Sequence, residues 1–291
     1  MAVLNSWQKI TRVLPGMPFG SGVDGALTIS SNTTQSVANA SCSGSSGSAT
    51  LTLGAASTFS NNDVVMIHQT RGTNVGQWEI NRISSGGGTT TLTLSKNLQY
   101  TYTDSGASQA QIVKIPMYTS ITANSSRTWS SSTWNANVGG FLLCAARTGI
   151  TFTGNFNSSG TDGVEDGQTS AAGGSGKGFS GGSGVAPHAA TAYQGEGTSG
   201  AGTQSTSANG NAGGGGETQA SSNSGGAGGG GGNGAAGTDG TTAASGIKGI
   251  GGATAGAADL TTMVFGGGGG GAANGANEAN GVGGGGGGGG G

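Results

Sequence analysis

The chain of 291 residues has two histidines, His68 and His188. Neither has a cysteine or a pair of carboxylates at zinc-ligand spacing, so no metal site is expected. His68 falls in the apolar run Val65-Met66-Ile67-His68-Gln69 and reads as structural. His188 follows Pro187 among small residues and reads as a solvated loop position. Asp162, Glu165 and Asp166 form the one acidic cluster. Paired carboxylates can hydrolyse glycosides, and alternating oxygen ligands can hold calcium. Asp162-Gly163-Val164-Glu165-Asp166-Gly167 matches the calcium spacing poorly and reads as a solvated turn. Gly174-Ser175-Gly176-Lys177 looks like the end of a phosphate loop. No Ser or Thr follows Lys177, no apolar strand precedes it, and no helix-forming stretch comes after. These residues give no catalytic group and no cofactor, and the chain is expected not to be an enzyme. If loops bind a receptor, His188 and Tyr193 are the candidates, because such rings suit sugar or protein contacts. Ordinary loop packing is the alternative for both.

The elements that would position such residues divide by composition. Of 68 glycines, 16 lie in residues 1–150 and 52 in residues 151–291. The same halves carry net charges of +4 and −6. That shift places a domain boundary near Asn155–Gly167. The basic residues Lys9, Arg12, Arg71, Arg82, Lys96, Lys114, Arg127 and Arg147 are scattered singly, which argues against nucleic acid as a partner. No run of about 18 apolar residues exists to cross a membrane. The N-terminus lacks a basic stretch followed by an apolar one, so no secretory signal is expected. Cys42 and Cys144 are too few for a disulfide framework, and Cys144, in Phe141-Leu142-Leu143-Cys144-Ala145-Ala146, reads as a buried, inert thiol.

Period-two alternation and β-branched enrichment place strands near Ala26–Ser30, Ala49–Leu53, Val64–Gln69, Gln77–Ile83, Thr89–Leu94 and Gln111–Ile115. Gly86-Gly87-Gly88 suits a hairpin between two of them. The expected organisation is mainly β. Residues 1–25 form an N-terminal attachment segment and 26–138 an antiparallel β-module. Residues 139–160 then form a junction, either one β-solenoid rung or a plain hairpin built from Phe141–Cys144 and Ile150–Phe156. Trp129 and Trp134 are expected to seal the junction.

Residues 161–291 lack material for an apolar core. Ordering a backbone residue costs about 1–2 kcal/mol, and glycine adds about 0.5–1 kcal/mol. Polyglycine II, with three residues per turn and outward-pointing N–H and C=O groups, offers another source of order. Bundled helices bond to one another, each bond contributing about 0.5–1.5 kcal/mol. The homopolymeric runs Gly213–Gly216, Gly228–Gly232, Gly266–Gly271 and Gly283–Gly291 fit it. The intervening Thr161–Ala172, Val185–Gln194, Thr203–Ala208, Glu217–Ser224 and Ala272–Asn280 are expected to be loops. A chain ending in a glycine run is expected to continue beyond it.

Across Gly173–Gly200 and Gly266–Gly291 the chain resembles the glycine-rich domains of bacteriophage tail-fibre tip adhesins. That resemblance implies a polyglycine II bundle whose distal loops touch a bacterial receptor. Gln69-Thr70-Arg71-Gly72-Thr73-Asn74, Gly76-Gln77-Trp78-Glu79-Ile80-Asn81 and Tyr193-Gln194-Gly195-Glu196-Gly197 are also similar to glycine-rich surface proteins of bacteria. The leading expectation is a virion structural protein: a tail-fibre or receptor-binding adhesin component. It would join other virion or fibre proteins through its N-terminal part, act in an oligomeric assembly, and bind a host glycan or outer-membrane protein. The alternative is a bacterial cell-surface or extracellular-matrix protein. A polysaccharide depolymerase is a third reading.

Overall fold

The computed structural model describes residues 20–56, 58–164, 172–185, 191–218, 225–242, 246–273 and 286–290. It is mainly β, and no helix occurs among these residues.

Six strands close a barrel: β3 (Asn39–Ser43), β4 (Thr50–Leu53), β5 (Val64–Arg71), β6 (Trp78–Ser85), β7 (Thr91–Leu94) and β8 (Gln109–Lys114). Their order around the barrel is β3-β4-β7-β6-β5-β8. Every pair is antiparallel. The Thr/Leu alternation of β4 and β7 turns Leu51, Leu53, Leu92 and Leu94 inward, where they meet Val65, Ile67, Ile83 and Ile112. Thr50, Thr52, Thr91 and Thr93 stay wet. The hairpin expected at Gly86–Gly88 joins β6 to β7. Gly86 has φ +85°, and a Cβ there would meet the Thr91 carbonyl oxygen.

All eight residues of β5 are buried. Val65 and Ile67 face the barrel interior. Val64 and Met66 face out, beneath Met117, Phe141, Leu143 and Met263. A strand apolar on both faces is one covered on both sides. Here the cover outside the barrel is the rest of the molecule.

The remaining strands are β1 (Leu27–Ile29), β2 (Thr33–Thr34), β9 (Met117–Ala123), β10 (Thr128–Ser130), β11 (Ala145–Phe152) and β12 (Asn155–Asn157). They make two three-stranded parallel sheets, β1-β9-β11 and β12-β10-β2. Each coil of chain gives one strand to each sheet, so three coils stack in parallel. The barrel is an excursion between the first coil and the second. Leu27–Ile29 therefore pairs across it with Ile121–Ala123. β11 and β12 are not bonded to each other as a hairpin would be. Trp129 is buried inside the stack with Ile29, Ile121 and Ala123.

Phe141–Cys144 is not a strand. The Gln35 side chain takes up both backbone groups of Leu143, accepting its N–H at 2.9 Å and donating to its carbonyl at 2.6 Å. Gly140, at φ +85°, turns the chain just before. Cys144 is half-buried rather than buried, and desolvation pushes its thiol up to about 11.

Beyond Ser158 the described chain runs as extended threads with isolated bridges in place of ladders. Backbone hydrogen bonds join neighbouring threads. In Gly266–Gly271 the N–H groups donate in turn to Gly290, Gly232, Glu196, Gly287, Gly229 and Tyr193. Each neighbour is revisited every third residue. Gly213–Glu217 repeats this, donating to Gly268, Ile250, Ser205, Gly271 and Ile247. Apolar side chains contribute only small clusters in this part, Trp134–Phe179–Phe265 and Val185–Ala192–Ala273. Thr203–Ala208, expected as a loop, supplies an outer thread. The carbonyls of Thr203, Ser205 and Thr206 accept from Gln194, Gly215 and Ile250. Side chains fit at the array's periphery, where they can point away from neighbours; they do not fit within it.

Candidate functional site

The thread array has two unlike ends. At the near end it docks on the barrel. Arg71, the last residue of β5, donates from Nε to the Ala107 carbonyl at 3.0 Å and pairs through Nη1 with Glu196. Glu196 also accepts Trp134 Nε1–H at 2.9 Å and the Ser180 N–H at 3.2 Å. Both charges are buried. Trp134 packs edge-on against Phe179 and Phe265. Gly72 N–H donates to Thr198 O, and Trp78 Nε1–H to Leu260 O. Glu196 was not among the site residues expected from the sequence, where it is a single carboxylate between two glycines.

His68 lies in the same seam, fully buried, edge-on to Phe141 and stacked near Phe265. Its Nε2 lies 2.8 Å from the Met263 carbonyl, so Nε2 carries the hydrogen and Nδ1 accepts from the Thr70 hydroxyl at 3.0 Å. Gln111 donates to Thr70 Oγ1 at 2.9 Å and accepts the Gly139 N–H. Burial lowers the imidazole pKa to about 4. An unfolded histidine titrates near 6.5, so between these values the unfolded chain binds more protons. Stability is therefore full above about pH 6.5 and is lost as pH falls toward 4, by about 3 kcal/mol in total. Buried Glu79 is shifted upward and works in the opposite sense. Comparison with His68→Gln by thermal melts from pH 7 to 4.5 isolates the histidine: wild type should lose stability that the variant keeps. Parallel curves for the two proteins would contradict this.

The far end is defined by Val164 with Ala172, Val185 with Ala273, Thr191 with Glu217, Glu217 with Ile247, and Gly226 with Thr242 and Ala273. These pairs bracket the places where residues 165–171, 186–190, 219–224, 243–245 and 274–285 connect one thread to the next. All five connections leave from this end. Val164 and Ile247 are exposed beside them. Of the two binding candidates, His188 lies outside the described residues, as do Glu165 and Asp166 of the acidic cluster. Tyr193 is 41% exposed, two residues into a thread from this end. Its backbone is fixed by Ser183 and Gly271, and the residue lines an open cleft of about 250 Å³ together with Arg71, Ser180, Gln194 and Glu196. No group of three or more His, Cys, Asp or Glu converges among the described residues.

No family model and no curated protein sequence matches the chain. One solved structure shows a slight likeness. It is the Gp54 tailspike of Acinetobacter baumannii bacteriophage AP22, in complex with A. baumannii capsular saccharide, at TM-score 0.25 and 15% identity. The match covers 46% of this chain and only 28% of the tailspike. A likeness of that size carries no weight for fold or function.

Proposed function

We propose that this chain is a receptor-binding structural component of a bacteriophage tail fibre, in which residues 161–291 form a polyglycine II bundle. The three-residue return of hydrogen bonds to the same neighbour supports that helix type. The observation that carries the function is the polarity of the array. One end is anchored to the barrel by the buried Arg71–Glu196–Trp134 cluster. The other end gathers every connection that the described threads leave open. A stiff array fixed at one end holds what it carries in a constant relation, and so lowers the entropy that binding must overcome. The stacked coils and barrel are the base through which the chain would join other fibre proteins on the virion. The partner at the far end would be a host glycan or outer-membrane protein. Binding is favoured over catalysis because the buried carboxylates Glu196 and Glu79 are taken up in structural contacts, with Arg71 and with the Gln99 N–H, as is Asp63, bonded to Lys114.

The test replaces residues 165–171, 186–190, 219–224, 243–245 and 274–285 one at a time with Gly/Ser segments of equal length. Binding of the purified protein to host cells should fall at least tenfold for one or more replacements, with the melting temperature within about 3 °C of wild type, a shift equivalent to under about 1 kcal/mol. Undiminished binding in all five would refute the receptor reading and leave a surface or matrix protein as the better description.

A further inference from the structure

A strap runs from the thread array back to the barrel. The chain leaves one thread after Ala253, crosses the barrel as residues 254–264, and enters the next thread at Gly266. Three bonds pin the strap. Trp78 Nε1–H donates to the Leu260 carbonyl and His68 Nε2–H to that of Met263, each at 2.8 Å. The Met263 N–H donates to the Gly76 carbonyl at 3.0 Å. Leu260 is held at φ +60°, a conformation that bulky residues rarely adopt and that clusters at functional sites where the surroundings impose it. Between the strap, residues 140–143 and the turn at Asn233 lies a cavity of about 610 Å³. Sites for small ligands run from about 300 to 1,000 Å³.

The lining decides what the cavity can take. Phe141, Leu142, Leu143, Met263, Val264 and Phe265 make its apolar wall. All but Phe265 are only half-buried, so apolar surface remains for a ligand to cover. Among the described residues that line it, none is Asp, Glu, Lys or Arg. Asp259 belongs to the strap but does not line the cavity, and its carboxylate accepts the Thr261 N–H and hydroxyl. Both ring nitrogens of His68 are taken up, by Met263 and Thr70, and the Ser158 hydroxyl donates to Ser131. A charged ligand would therefore lose its water without gaining a counter-charge. A sugar ring buried here would leave most of its hydroxyls unpaired. An apolar chain meets neither cost. Asn233 and Thr254 stand at exposed lining positions, where a polar head can reach both them and water.

We infer that this cavity takes the alkyl or acyl chain of an uncharged amphiphile, with the polar head at Asn233 and Thr254. The inference does not depend on the receptor reading. Octyl β-glucoside, kept below the concentration at which it forms micelles, is the probe. It should bind the full chain saturably, one molecule per chain, and shift the methyl signal of Met263 in NMR spectra. Ala255→Trp adds bulk at a half-buried lining position, and Ala258→Asp puts a charge at an exposed one. Each should weaken binding at least tenfold, with the melting temperature within about 3 °C of wild type. Octanoate and methyl β-glucoside should bind at least tenfold more weakly than the probe, the first for its charge and the second for want of a chain. Absence of saturable binding, or an affinity unchanged in both variants, would overturn the inference. So would methyl β-glucoside binding as tightly as the octyl compound, which would make this a sugar site. Loss of binding in step with formation of a dimer would also overturn it, and would assign the apolar wall to a second copy.

Discussion

Gly270→Ala should destabilise the thread array by about 3 kcal/mol or more, whereas Gly269→Ala, one residue earlier, should change it by less than about 1 kcal/mol. Neither glycine has a positive φ, so backbone strain plays no part in the contrast. The difference is room. A Cβ at Gly270 would lie 1.9 Å from the Gly214 oxygen and 2.4 Å from its carbon. Gly214 cannot retreat, because its oxygen accepts from Gly229 and its N–H donates to Ile250, each at 2.8 Å. At Gly269 the nearest atom is 3.4 Å away, ordinary contact. The pattern continues along the thread. Gly267, Gly268 and Gly271 are blocked by backbone at 1.9, 2.0 and 2.2 Å, and Gly266 is the least crowded of these at 3.0 Å. Denaturant midpoints of the two alanine variants read the difference. Equal effects would mean that the threads do not pack in a three-residue rotation.

The second large effect belongs to Glu196. Removing one member of a buried ion pair leaves its partner charged and unsolvated, which costs about 3–5 kcal/mol. Glu196→Ala strands the Arg71 guanidinium and also orphans the Trp134 and Ser180 donors. A loss of about 4 kcal/mol is expected, measured by chemical unfolding. Because the cluster joins β5 to the array, the array's transition should also separate from the barrel's. Arg71→Met combined with Glu196→Leu should recover more than half of the loss, since an apolar pair replaces the charges without leaving one unpaired. Additive losses in the double variant would show that the two residues do not act together.

Much of the barrel could be read from the sequence. Thr/Leu alternation at Thr50–Leu53 and Thr91–Leu94, and the apolar run at Val64–Ile67, state the buried faces directly. Asn39–Ser43 could not be read in this way. Its inward residues are Ala40 and Cys42, too small to give a periodic signal. The coil stack was legible only at its third member, because the first and second meet across the entire barrel, and nothing local in Leu27-Thr28-Ile29 names Ile121–Ala123 as its neighbour. The glycine runs announce threads that need close approach, but not where threads stop. Thr203–Ala208 resembles a loop in composition and still forms an outer thread, because its side chains have solvent to point into. As for the site, Tyr193 was marked by its type. Glu196 could have been flagged by its isolation: a carboxylate flanked by glycines on both sides needs a partner if the segment is buried.

The central claim is that main-chain bonds between threads, returning every third residue, give the glycine-rich part its shape. Scalar couplings through hydrogen bonds, measured by NMR between amide nitrogens and carbonyl carbons, test it most directly. The account predicts couplings from Gly269 to Gly287, from Gly270 to Gly229 and from Gly271 to Tyr193. Donors that return to the same neighbour at every second residue, as in a sheet, or rapid exchange of these amides with no coupling at all, would contradict it.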